Sequence, residues 1–223
     1  DNYELPNVKL KFEGMSGNVQ FNLPVRGRDN NLTQIFKVKR IRWKDLHIED
    51  AFLSVTFDVG GIYGKFGGVA YGGYVNGEFN IYIDAVYSWD GWLNGTDVET
   101  REITQKLFPG YFFMEGKVGT TLTMNGDSDE IYQTDLKFGN RTPGKISIEA
   151  LNDLIKALPE SLNGLKLQLA QVSLETMRDF AYEHADGQLR SYGREGRGTL
   201  KFTGPTGTRS FELNAYDHRW KTD

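Results

Sequence analysis

The stretch Gly77-Glu78-Phe79-Asn80-Ile81-Tyr82-Ile83-Asp84 decides the fold predicted for this chain. Side chains alternate between the two sides of an extended backbone, so Phe79, Ile81 and Ile83 fall on one side and the residues between them on the other. The same alternation runs through residues 46–59 just upstream. Strands with one apolar and one polar side are typical of antiparallel sheets.

The composition narrows the class of protein. The 223 residues, 39% of them hydrophobic and 13% aromatic, suffice for a folded core, and we expect one domain over residues 1–223. The net charge of −4 gives no long-range attraction for nucleic acid, so a nucleic-acid partner is not expected. The chain has no cysteine, which excludes a thiolate nucleophile and a Cys-ligated zinc site.

Alternating apolar residues recur almost to the C-terminus and predict a mainly β protein, a β-rich α+β fold. Hairpin turns are predicted at residues 15–17, 125–127 and 204–207, where glycine accompanies Ser, Asn, Asp, Pro or Thr. The phase of the alternation slips by one residue between Val38 and Ile41, which predicts a bulge or bend.

Two or three short helices are predicted. Thr96 and Glu99 have the spacing of a capping box, which predicts that a helix starts there. Ser147 is expected to cap a second helix that ends at Pro159. A further helix could start at Ser173, and the pattern leaves open whether helix or strand follows it.

The segment from Gly60 to Gly73 is rich in glycine. Glycine inside a strand usually marks a bulge, a bend or the close approach of another part of the chain. A phosphate-binding loop is not favoured, because neither GxGxxG nor GxxxxGK[ST] occurs in the segment.

No catalytic constellation stands out. His47, His184 and His218 are far apart in the chain and form no HxxxH pair. Asp84 and Asp90 flank aromatic residues in the manner of a glycosidase pair, but carboxylates on the polar side of a strand need no such role. We therefore expect no enzyme activity, no catalytic residues, no metal and no cofactor.

Three aromatic residues support an alternative function. Tyr87, Trp89 and Trp92 could stack on sugar rings, although aromatic residues near a strand end more often pack in a core. The alternative prediction is a β-sandwich module that binds carbohydrate or protein through these rings.

Several segments resemble a known family. The glycine-rich entry into residues 77–83, with residues 92–98 and 113–118, resembles the C-terminal domain of AsmA-like envelope proteins. Later segments are similar to the related YdbH-type members, and these comprise residues 144–151, 177–183, 198–204 and 211–214.

The resemblance implies a function in the envelope of Gram-negative bacteria. It implies a periplasmic domain, part of a longer chain anchored to the inner membrane by a segment absent here, that supports outer-membrane lipid homeostasis or assembly. The implied partners are phospholipids or other acyl-chain lipids, together with other envelope proteins. It also implies that Phe180 to Tyr192 is a strand.

These expectations combine into one fold prediction: a long, strongly curved antiparallel sheet or half-barrel with an apolar concave face. A sheet with one apolar face must bury that face against another layer or a ligand, and short helices cover only part of it. The predicted groove lining is Leu53, Val55, Phe57, Phe79, Ile81, Ile83, Val118, Leu122, Met124, Leu200, Phe202, Phe211 and Leu213.

Overall fold

The computed structural model describes residues 3–5, 10–19, 32–43, 45–107, 109–110, 112–156, 163–216 and 219–222. The helices are α1 (Thr100–Leu107), α2 (Leu151–Lys156) and α3 (Gly164–Thr176). The strands are β1 (Tyr3–Leu5), β2 (Leu10–Gly17), β3 (Leu32–Trp43), β4 (Leu46–Asp58), β5 (Gly61–Ala70), β6 (Gly73–Tyr82), β7 (Trp89–Glu99), β8 (Phe112–Glu115), β9 (Lys117–Gly126), β10 (Ile131–Asn140), β11 (Gly144–Ile148), β12 (Asp179–Tyr182), β13 (His184–Tyr192), β14 (Glu195–Gly204), β15 (Gly207–Tyr216) and β16 (Arg219–Thr222).

Thirteen of these strands form one antiparallel sheet, and the predicted mainly β class is confirmed. Their order in space follows the sequence, except that β8, β11 and β12 leave it and form a separate sheet in the order β12-β11-β8. At about 4.8 Å between strands and about 3.3 Å per residue, the large sheet is roughly 58 Å wide and 33 Å tall.

The predicted strong curvature, or half-barrel, is wrong, because neither sheet is strongly curled. Strong curling needs bulges repeated from strand to strand. Register shifts interrupt only three of the described strand pairs, at Glu49/Phe52, Gly95/Val98 and Ile131/Gln133. In the described residues β1 and β16 remain at opposite edges of an open sheet.

The strand register gives the large sheet two chemically different faces, because directly paired residues point to the same side. One row across β4, β5, β6, β7, β9, β10 and β13 is Leu53, Phe66, Gly77, Leu93, Leu122, Leu136 and Leu189. The next row, one residue along, is Ser54, Lys65, Glu78, Trp92, Thr123, Asp135 and Arg190. We call the sides that carry these rows the apolar face and the polar face.

The small sheet and the helices cover one end of the apolar face. Phe202 of β14 is 2% exposed, and Met177 and Tyr182 from the covering layer are 0% and 1% exposed. Val118 and Ala185 join them from the large sheet. We call this part of the apolar face the capped end.

A second cluster lies on the N-terminal part of the same face. Val38, Ala51, Leu53 and Val55 are buried there. The half-buried side chains packed around them also belong to the neighbouring strands, and they are Phe12, Met15, Phe36, Ile48, Ile62, Phe66 and Phe79. Every described member of this cluster therefore comes from β2 to β6, within a single sheet.

The predicted change of phase between Val38 and Ile41 is confirmed, because both side chains are buried. Lys39 lies between Gly14 and Asp50 on the neighbouring strands, and both of those residues have positive φ, +63° and 46°. Such a backbone conformation interrupts the two-residue alternation. The apolar positions accordingly change phase at this row of residues.

The predicted helix starts are wrong at two places. Thr96 and Glu99 lie in β7, and α1 begins at Thr100, because β7 still pairs with β9 through Glu99 and Lys117. Ser147 lies in β11, where its hydroxyl donates to an Asp179 carboxylate oxygen at 2.8 Å.

The C-terminal part of the chain follows the prediction more closely. Leu174 and Met177 are buried as expected, although α3 begins at Gly164 and not at Ser173. The strand implied by the resemblance from Phe180 to Tyr192 corresponds to β12 and β13, which are separated at Glu183.

Close approach of an aromatic ring explains Gly64 in the glycine-rich segment and Gly77 on the next strand. The Phe79 ring lies over Gly64, so that a Cβ atom there would overlap it, and the Phe66 ring lies within 2.6 Å of a Cβ position at Gly77. Gly64 pairs with Phe79 and Phe66 with Gly77, so each ring covers the glycine across from it. Aromatic rings that lie flat over glycines cover the backbone with residues of the same sheet.

We expect Gly64→Ala to lower the free energy of unfolding by about 1–3 kcal/mol, the usual cost of overpacking. The loss should be smaller when Phe79 is also replaced by Ala, because the clash disappears. Urea denaturation of the four members of the cycle measures this coupling. Gly139→Ala is the matched control, since the atom nearest to its Cβ position is 3.9 Å away; additive effects of Gly64→Ala and Phe79→Ala would contradict the explanation.

Tyr182 should make stability depend on pH in alkaline solution. Its hydroxyl donates to the Glu115 carbonyl at 2.6 Å, and burial raises its pKa from 10.0 to about 12. A raised pKa favours the neutral form in the folded state, so this contribution is complete below about pH 10 and is lost as pH rises through about 12.

We expect Tyr182→Phe to be less stable by about 1–2 kcal/mol at pH 7, because the buried Glu115 carbonyl loses its donor. Between about pH 10 and 12 the difference from the parent should shrink, since the variant has no phenol to ionise at this position. Urea denaturation at a series of pH values tests this. A difference that stays constant across that range would show that Tyr182 titrates normally.

Candidate ligand-binding face

Beyond the capped end, the middle of the apolar face carries half-buried side chains that belong to neither buried cluster. We call this set the open strip, and its members are Ile81, Trp89, Leu93, Leu122, Met124, Leu136 and Leu189. They come from β6, β7, β9, β10 and β13, and the register places them in adjacent rows. The open strip is therefore a continuous apolar surface within the large sheet.

Twelve of the thirteen predicted lining residues occupy register positions on the apolar face, and the exception is Ile83. Ile81, Leu122 and Met124 belong to the open strip. Leu53, Val55 and Phe79 belong to the N-terminal cluster, and Val118, Leu200, Phe202 and Phe211 to the core at the capped end. Leu213 pairs with Gly198, which places its backbone in the same row.

Two predicted residues lie at the margin of the face. Phe57, near the end of β4, is 54% exposed. Ile83 follows the last residue of β6 and is 57% exposed, because the strand ends at Tyr82 and its alternation does not continue.

The sequence prediction missed several members of the face. Leu93, Leu136 and Leu189 belong to the open strip, and Ile62 and Phe66 to the N-terminal cluster. Leu136 alternates clearly in the sequence and could have been chosen. Leu189 lies in the strand that only the resemblance implied, and Phe66 lies within the glycine-rich segment.

The three aromatic residues of the alternative prediction do not form one stacking surface. Trp89 pairs with Ile81 on the apolar face, whereas Trp92 pairs with Glu78 on the polar face. Trp89 also donates its indole N–H to the Asp127 carbonyl at 2.8 Å. Tyr87 lies in the loop between β6 and β7 and is 57% exposed.

The two carboxylates considered as a catalytic pair have separate local roles. Asp84 accepts hydrogen bonds from the backbone N–H of Val86 and Ser88 and from the Ser88 hydroxyl, and the Ser88 side chain is the main cause that lowers its pKa. Asp90 accepts from the Tyr82 hydroxyl at 2.6 Å and from Asn80 at 2.8 Å. Both carboxylates therefore have a structural role, because each accepts hydrogen bonds from nearby residues.

The described residues contain neither a metal-binding cluster nor a membrane-spanning helix. They contain no group of three or more His, Asp or Glu side chains placed to hold a metal ion. Their helices are too short or too polar to cross a lipid bilayer. Comparison of the chain with protein-family models, curated proteins and solved structures finds no match.

Proposed function

We propose that this chain is a non-catalytic domain that binds the acyl chains of phospholipids, or of similar lipids, along the open strip. The observation that carries the proposal is the separation of the two faces of the large sheet. Leucine and phenylalanine predominate on one face across seven strands. Charged, amide and hydroxyl side chains predominate on the other, where Phe52, Tyr74 and Trp92 also lie. A surface of this kind has a large hydrophobic driving force to acquire an apolar partner.

The burial of individual side chains supports a ligand role for the middle of the face. At the capped end a second layer covers the apolar face, and Phe202 is 2% exposed. In the open strip the side chains remain half-buried. Among the described residues, the core cluster at the capped end includes none of them. The open strip therefore has apolar surface left to bury.

The dimensions of the open strip fit one acyl chain. Four strand spacings separate β6 from β13, which is about 19 Å. One leaflet of a bilayer has a hydrocarbon thickness of about 15 Å, half of the roughly 30 Å core. A chain lying across the strands along the row of Leu93, Leu122, Leu136 and Leu189 would contact all four of these side chains.

The resemblance to AsmA-like and YdbH-type proteins supplies the context of the proposal. In that context the domain works in the periplasm of a Gram-negative cell, at the inner membrane. It handles phospholipid for outer-membrane homeostasis or assembly, alongside other envelope proteins.

A photo-crosslinking experiment tests the proposal. The protein is incubated with vesicles of phosphatidylglycerol that carries a diazirine in one acyl chain, irradiated, digested and analysed by mass spectrometry. We expect adducts on open-strip residues such as Leu122, Met124 and Leu136. The polar-face neighbours Thr121, Thr123 and Asp135 are the internal control, since they lie in the same strands and point the other way.

Two results would overturn the proposal. Adducts distributed equally over both faces would indicate non-specific contact with vesicles. An absence of adducts, in a protein whose circular dichroism shows an intact β fold, would indicate that the apolar face is closed to lipid.

A further inference from the structure

The polar face carries a depression of about 550 Å³ over β6, β7, β9 and β10. Its position follows from small residues, because Gly119 and Gly139 lie in its lining on the polar face. The register shift between Gly95 and Val98 lies at the same place. The depression is on the side of the sheet opposite to the open strip.

The floor of the depression offers free hydrogen-bonding groups. Asn76 and Asn94 face each other on neighbouring strands, and Thr121 follows on the next strand. All three line the depression, and their side chains have no hydrogen-bond partner among the described residues. Two amides and a hydroxyl side by side can donate and accept, as sugar hydroxyls require.

One wall of the depression is cationic. Lys137 and Arg141 line it, and the described lining residues include no carboxylate. The Arg141 guanidinium lies over Gly119, with Nε 2.9 Å from a Cβ position there, and it forms no ion pair with a described residue. The Lys137 ammonium is 4.0 Å from Asp135, which is held more closely by Gln188 at 2.9 Å and Arg190 at 3.1 Å.

Another carboxylate lies close to the wall. Asp186 pairs in register with Gly139, and Lys201 faces it from the next strand. The side chains that line the wall itself carry two positive charges and no negative one, although the whole chain has a net charge of −4.

Two aromatic rings lie just outside the lining of the depression, on the β5 side of Asn76. Phe52, Gly67, Asn76 and Asn94 form one row, and a Cβ atom at Gly67 would lie 2.6 Å from both Phe52 Cε1 and Tyr74 Oη. The two rings thus cover Gly67 at the edge of the floor while remaining 41% and 48% exposed. Exposed rings beside polar groups provide the apolar surface on which a sugar ring can stack.

From these observations we propose that the depression binds an acidic saccharide. In a disaccharide, the neutral sugar ring lies at the end of the depression next to Tyr74, the hydroxyls reach Asn76, Asn94 and Thr121, and the carboxylate of the acidic sugar ring meets Lys137 and Arg141. Three strand spacings separate Asn76 from Lys137, about 14 Å, which accommodates a disaccharide. This site is independent of the acyl-chain function proposed for the other face.

Titration of the ¹⁵N-labelled protein with cellobiouronic acid, and in parallel with neutral cellobiose, tests the proposal. We expect saturable shifts of the Asn76, Asn94 and Thr121 amides, with a Kd of about 1 mM or below for the acidic sugar. Cellobiose should bind at least about tenfold more weakly, because it has no group to meet the cations. Raising the salt concentration should weaken the acidic sugar more than the neutral one.

Two arginine variants distinguish binding in the depression from non-specific electrostatic attraction to the protein. Arg141→Ala should weaken binding of cellobiouronic acid about tenfold. Arg197→Ala, on the same face in β14 but outside the depression, should leave it unchanged. The proposal would be overturned if no shifts appear, if sodium sulfate produces the same shifts, or if the two arginine variants behave alike.

Discussion

Phe202→Ala should lower the free energy of unfolding by about 3–5 kcal/mol, the range for removal of a buried aromatic ring. Phe202 is 2% exposed, and its ring lies 5.6 Å from the Tyr182 ring and 6.5 Å from the Phe211 ring. Tyr182 belongs to the small sheet and Phe211 to the large one. The truncation would therefore leave a cavity where the two layers meet.

Urea denaturation measures this loss as a shift of the midpoint with an unchanged m-value. Thr199→Ala in the same strand is the control, because Thr199 is exposed on the polar face and should change stability by less than about 0.5 kcal/mol. A loss below about 1 kcal/mol for Phe202→Ala would mean that the cap contributes little to the fold.

Leu122→Asp should reduce phospholipid binding at least about tenfold, which corresponds to about 1.4 kcal/mol. Leu122 is central in the open strip, paired with Leu93 on one side and Leu136 on the other. A carboxylate there would have to be desolvated beneath an acyl chain, which is costly. Binding is measured by fluorescence of a lipid that carries an environment-sensitive dye on its acyl chain.

Thr121→Asp is the matched control, because it adds the same charge one residue away on the polar face. It should leave lipid binding unchanged. Met124→Gln, which nearly conserves volume, tests the same strip with less risk to folding and should weaken binding in the same direction. Equal lipid binding by the parent, Leu122→Asp and Met124→Gln would show that the open strip is not the lipid-binding surface.

The strands could be predicted because alternation over five or more residues is a strong local signal. Glu78 to Tyr82 alternate in the sequence and in β6, and the same holds for Leu53 to Phe57 in β4. Most of the apolar face could therefore be assigned residue by residue. The register that joins these residues into one surface is a property of the strand pairing and could not be read from single strands.

The helix boundaries were harder because their local signals are ambiguous. Thr96 and Glu99 match a capping box, yet their pairing in β7 prevails over this short-range preference. In α3, Leu165 and Leu169 are 70% and 58% exposed while Leu174 is buried, so apolar residues on several sides give no clear helical period.

The shape of the sheet and the polar-face depression had no signal in the sequence. Curvature depends on how bulges accumulate across strands, and only three register shifts occur in the described pairs. The depression brings together Asn76 from β6, Asn94 from β7, Lys137 from β10, and Arg141, which directly follows β10. None of these residues is distinctive in its own segment.

Lipid binding itself can be measured by native mass spectrometry of the purified protein, with solvent extraction of whatever copurifies. We expect a species carrying stoichiometric phospholipid, or one that appears after incubation with phospholipid vesicles, and its loss in Leu122→Asp but not in Thr121→Asp. A protein that keeps its unliganded mass after that incubation would contradict the proposed lipid binding and identify the apolar face as closed core.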